Sequence, residues 1–190
     1  MRLILLFYAF SLYSFQAIGN SNPPLGDRVL AEINNTFYTQ WQLEGYFLIK
    51  KALDNTPINE KSLQRKESWQ KDLDIFLFDM LIHQDTQKMG SFFPNDQSID
   101  KNLEKIKKLS STNIYFRDAL QVLGLNNKTL KQTTITVIQV KSYKQNKNIG
   151  IEKDDSIGKT PAWKSDLKKK YIIRRFKDSQ NYYPLLSIGK

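Results

Sequence analysis

The chain has 190 residues, 40% of them hydrophobic, with 11 Phe and 9 Tyr, enough to build a core and to exclude a disordered chain. It has no cysteine, which excludes a disulfide scaffold and a lipoprotein, whose anchor needs a Cys just after the cut. A formal net charge of +10 favours anionic partners such as acidic polypeptides, anionic lipid or cell-wall polymers.

The first nineteen residues read as an export signal. Arg2 gives a positive start, residues 3–15 are almost wholly apolar, and Ala17-Ile18-Gly19 places small residues where signal peptidase reads them. The cut is expected before Asn20. An uncleaved N-terminal anchor is the other reading. Against it, the run is shorter than the roughly 20 residues that span a bilayer, and Tyr8, Ser11, Tyr13 and Ser14 dilute it. Without the signal, 28 basic and 19 acidic side chains remain, spread along the chain and concentrated only at 164–177.

Residues 20–27 form a Pro-containing lead. Residues 28–34 alternate apolar and polar, with Val29, Ala31 and Ile33 on one side, which predicts a short strand. Asn34-Asn35 marks a turn and Phe37-Tyr38 a brief return. Thr39 and Gln42 form a capping box that opens a first helix carrying Trp41, Leu43, Tyr46, Phe47 and Ile49, with two apolar faces. A long second helix is expected over 61–89, with Trp69, Leu73, Phe76, Leu77, Met80, Leu81 and Gln84 on one stripe and Gly90 as its stop. Pro94-Asn95-Asp96, Asn113, and Asn126 or Asn127 cap a third, fourth and fifth helix. In the last of these, residues 133–140 are β-branched enough to suggest a strand, but the flanking caps and the length favour helix. Residues 146–160 read as a loop and 161–169 as a short helix with Trp163 and Leu167 on one face. Residues 170–176 then read as a strand, and 177–190 as an irregular tail.

The order of these elements resembles the SurA-type periplasmic chaperones. RVLAEINNTFYTQWQLEG (28–45) is similar to the opening of that family, a short strand and Asn-containing turn leading to a Thr-capped helix. LDIFLFDMLIHQDTQKMGSFFPNDQSIDKNLEKIKK (73–108) resembles its next piece, where a long helix ends near a Gly and a further helix follows. FRDALQVLGLNNKTLKQTTITVIQVKSY (116–143) resembles the following helix pair, and AWKSDLKKKYIIRRF (162–176) the closing Trp-led helix and strand. The order and spacing carry the resemblance, since no single motif is specific. It implies a mainly α chaperone core over 28–176, with five to six helices and a two-stranded ribbon joining its N- and C-terminal segments.

The chain departs from that family in one respect. The family inserts one or two parvulin-type isomerase domains before the closing segment, and here only the 146–160 loop fills the gap. A loop of that length is far below the roughly 40 residues of the smallest unassisted folds. The isomerase domain is therefore expected to be absent.

The sequence offers little catalytic chemistry. His83 is the only histidine and reads as a surface or core-edge residue, because acid–base work needs a positioned partner. Asp154-Asp155 is an acidic pair that could hold a hard cation, although such pairs in loops are usually only solvated. No cofactor, metal or nucleic acid is expected.

The aromatics are the informative class. They form either a two-sided core or, in part, an open apolar groove for extended segments of an unfolded client. Trp41, Phe47, Trp69 and Phe78 on the first two helices are the candidate groove residues. The expected function is that of a periplasmic chaperone binding unfolded polypeptides, outer-membrane proteins among them, with weak contact to anionic envelope surfaces. The alternative is a dedicated envelope or secretion subunit that binds one protein partner.

Overall fold

The computed structural model describes residues 27–63, 67–147 and 162–180. The expected signal, residues 20–26 of the lead, residues 148–161 with the Asp154-Asp155 pair, and residues 181–190 of the tail lie outside the described residues.

Val29–Ile33 forms β1, with Ala31 and Ile33 fully buried, as the alternation predicts. Asn34 and Asn35 take φ angles of 47° and 66°. A tight two-residue hairpin of this kind needs two positive φ values, and Asn tolerates them because its short polar side chain can bond locally. The chain therefore folds straight back as β2, Thr36–Thr39, with Ile33 opposite Thr36 and Glu32 opposite Phe37. On the other side of β1 lies β3, Ile173–Arg175, antiparallel and in register through Ala31–Arg175, Glu32–Arg174 and Ile33–Ile173. The strand order is β2-β1-β3.

The two ends of the domain are thus joined in one sheet, as expected. The expectation of two strands is corrected to three, because the brief return at Phe37-Tyr38 pairs along its whole length.

Thr39 caps α1, Gln40–Leu53, through the reciprocal pair read from the sequence. Its Oγ1 accepts from Gln42 N–H at 3.4 Å, and its own N–H donates to Gln42 Oε1 at 2.9 Å. Every residue from Leu43 to Ile49 is buried, so both faces of α1 are packed.

The expected 61–89 helix is interrupted. A single turn, α2 (Glu60–Leu63), is followed by a turn at Glu67-Ser68 and then by α3, Trp69–Met89. Between Leu63 and Trp69 the sequence is wholly polar, so a continuous helix would bury nothing there, and packing supplies most helix stability. Gly90 closes α3 in the left-handed conformation.

Asn95 caps α4 (Asp96–Thr112), Asn113 caps α5 (Ile114–Val122) and Asn126 caps α6 (Asn127–Asn146), each side chain accepting from a first-turn N–H at 2.8–3.0 Å. The β-branched run in α6 is helical, since Leu130, Thr134, Val137 and Val140 bury at helical spacing. A short α7, Ala162–Lys169, precedes β3, and a 3₁₀ turn, Lys177–Gln180, follows it. The described residues hold seven α-helices, where five to six were expected.

The sheet rests on α3. The Tyr38 and Phe76 rings meet edge-on at 5.9 Å, and Gln84 Nε2 donates to Ile33 O at 3.2 Å and to the Tyr38 hydroxyl at 2.9 Å. Leu167 and Tyr171 join the same core. Trp69 Nε1 donates to Ser179 O at 2.8 Å, across 110 residues of chain. No helix among the described residues is long and apolar enough to cross a membrane.

Candidate functional site: a cleft beside the edge strand

Asp74, Leu77, Phe78 and Leu81 sit at i, i+3, i+4 and i+7 on α3 and so share one stripe. This stripe meets the inner face of β3, which presents Ile173 and Arg175, and the end of α7, which presents Lys168. Together they line a cleft of about 290 Å³. Its apolar part is the exposed edge of Phe78 and Ile173 above the buried Leu77 and Leu81. Its rim is charged, with Lys168 on one side and the Arg175 guanidinium paired with the Asp74 carboxylate on the other. Ligand clefts run from roughly 300 to 1,000 Å³. This one is at the lower end, suited to one or two side chains and not to a large cofactor.

The backbone of β3 adds a second element. Asn34 N–H donates to Ile172 O, and Phe176 N–H donates to Leu30 O, both at 3.1 Å. Bonding alternates along an antiparallel ladder. The peptide groups of Ile172, Arg174 and Phe176 therefore face β1, and those of Ile173 and Arg175 face outward. Among the described residues no strand pairs with that outer edge. The same two residues thus carry side chains that line the cleft and peptide groups that face away from β1.

The structure disperses the four candidate aromatics. Phe47 and Trp69 are buried in the core, Trp69 with its indole N–H engaged as above. Trp41 is half-buried, and its ring approaches Gly124 in the turn after α5. Phe78, also half-buried, is the one of the four that lines the cleft.

Sequence reasoning did not identify Lys168, Ile173 and Arg175 as site residues. Their signal is the alternation of 173 and 175 within the expected strand, but nothing local says which of its faces meets α3.

His83 lies at the α3–α6 contact, where its Nδ1–H donates to Gln139 Oε1 at 2.8 Å, and Gln139 Nε2 donates to Ser91 O at 3.3 Å. Burial pushes the imidazole below its ordinary value near 6.5, and the bond to Gln139 partly offsets this. Tyr171 donates to Asp85 Oδ1 at 3.1 Å; burial first, then that bond, raises its hydroxyl well above the usual value. Among the described residues no three His, Asp or Glu side chains gather as a metal site. In comparison with known proteins, no family model, no curated protein and no solved structure matches the chain.

Proposed function

We propose that the chain is an exported chaperone of SurA-type core architecture that binds unfolded polypeptide segments, outer-membrane proteins among them, without isomerase activity. The observation that carries this reading is the coincidence at β3 of a small cleft of mixed apolar and charged lining with outward-facing peptide groups. An extended client segment would add a strand along Ile173 and Arg175 and place an apolar side chain against Phe78 and Ile173. Main-chain bonds of this kind are indifferent to sequence, and a pocket for one or two side chains selects only for bulk. Weak, broad affinity follows. The export pattern of residues 1–19 and the family-like element order support the same reading.

The test uses the chain from Asn20 onward, which contains every described element. Its effect on aggregation of several unrelated unfolded outer-membrane polypeptides is measured beside its melting temperature. Phe78→Ala is expected to weaken suppression severalfold while the domain still melts cooperatively, since half-buried truncations usually cost about 0.5–3 kcal/mol. Full suppression by Phe78→Ala would sink the assignment of the cleft. Suppression of none of the clients, together with recovery of one folded protein from periplasmic extract, would favour the single-partner subunit.

A further inference from the structure

Strand β3 has a second face, turned away from the cleft. Ile172, Arg174 and Phe176 alternate onto it, beside Glu32 of β1 and Phe37 of β2. Phe37 is 56% exposed, Ile172 67% and Phe176 39%. The rings of Phe37 and Phe176 lie 6.4 Å apart, tilted by 42°, so part of each is covered only by the other. Three large apolar side chains on one small sheet face form a patch that folding leaves in water.

Ile172 and Phe176 of the patch belong to the most basic stretch of the chain, although its Lys168 and Arg175 line the cleft on the opposite face. Residues 164–177 hold seven Lys or Arg and one Asp, more than half of the net charge of +10. Arg174 pairs with Glu32 at 3.5 Å, Lys170 with Asp85 at 3.8 Å and Lys169 with Asp166 at 3.7 Å. In all three the cation is well exposed and the contact long, so these pairs are weak and exchangeable. Lys177 directly follows Phe176.

Exposed apolar residues amid cations match the chemistry of an anionic bilayer in both respects. A soluble polyanion without bases, such as an acidic polysaccharide, would use the charge and leave the rings idle. An apolar peptide would use the rings and gain nothing from the charge. An anionic bilayer surface uses both, taking apolar side chains into the headgroup region and setting cations against phosphates. We propose that this outer face of the sheet docks on an anionic lipid surface, with Phe37, Ile172 and Phe176 inserted and Arg174 and Lys177 at the phosphates. This docking uses the opposite face of β3 from the polypeptide cleft and does not depend on it.

The test is co-sedimentation of the chain from Asn20 onward with vesicles of phosphatidylcholine alone or mixed equally with phosphatidylglycerol, over a salt series. Binding is expected to the mixed vesicles only and to weaken as salt rises. The triple variant Phe37→Thr, Ile172→Thr, Phe176→Thr keeps strand-forming side chains. It is expected to lose on the order of tenfold in vesicle binding while retention on heparin and melting temperature stay as in the parent. Arg174→Gln with Lys177→Gln is expected to flatten the salt dependence. Undiminished vesicle binding by the triple variant would overturn the proposal in favour of a bare charge patch. Absence of vesicle binding by the parent would overturn it as well, and a dimer dispersed by the triple variant would then assign the face to a second copy of the chain.

Discussion

His83 carries a measurable property through its place in the fold. It is held neutral between α3 and α6, donating from Nδ1 to Gln139, and burial depresses its proton affinity below the ordinary value near 6.5. The unfolded chain therefore takes up a proton at a pH where the folded chain resists it. In that window the unfolded state binds more protons, so stability is complete above about pH 7 and falls as the pH drops below 6.5. Melting temperature should decline between pH 7.5 and 5.5 in the parent and decline less in His83→Gln, which can still bond Gln139. Equal slopes for the two proteins would show that His83 does not couple folding to pH. The identity of this residue was plain in the sequence. Its partner, 56 residues away on another helix, was not.

Among the elements, α1, α3 and α6 are held together by one buried carboxylate. Asp79 on α3 is 0% exposed. Its Oδ2 accepts from the Tyr46 hydroxyl of α1 at 2.8 Å and lies 3.6 Å from Lys50 Nζ, while Lys144 of α6 sits against Oδ1. A lone buried charge is costly, and two ammonium groups and a hydroxyl compensate it here. The hydroxyl of Tyr46 is raised well above its usual value, by burial first and the Asp79 charge second. Removing the carboxylate leaves both lysines without their counter-charge at a three-helix junction. Asp79→Ala should cost about 3–5 kcal/mol in urea unfolding, and Lys50→Met less, since Lys50 is one-third exposed. A loss below about 1 kcal/mol for Asp79→Ala would mean that the network is solvated and not a pin. The aspartate stands between Phe78 and Met80 on a helix that carries three other aspartates, and nothing local in the sequence singles it out or names its partners.

For the molecule as a whole, stability should depend on its two ends meeting. Residues 162–180 supply β3, the buried Leu167 and Tyr171, and the Ser179 carbonyl that accepts from Trp69. Burial of the two side chains alone contributes about 1.5–3 kcal/mol each, and a β1–β2 hairpin without its third strand is marginal. A chain ending at Thr160 should melt roughly 10–20 °C lower, in a single transition, at about 2–4 °C per kcal/mol for this size. An unchanged melting temperature would mean that the C-terminal segment is an appendage and not part of the fold.

Local chemistry was legible in the sequence. The Thr39–Gln42 capping box, the Asn113 cap of α5, the Asn34-Asn35 turn and the Gly90 stop each depend on a few adjacent residues and are realised as read, while the caps of α4 and α6 settle on Asn95 and Asn126 among the adjacent residues the sequence offered. The pairing of the two ends was expected from the resemblance, in which the closing strand meets the first, and the local sequence shows only that each end can form a short strand. Tertiary structure decided the rest. It split the long helix where no apolar residue lies between Leu63 and Trp69, and it extended the ribbon to three strands through a return of only four residues. It also sorted the aromatics. Density of rings does not say which are buried, because helix–helix and helix–sheet contacts made at long range take Phe47 and Trp69 into the core and leave Phe78 at a cleft and Phe37 in water.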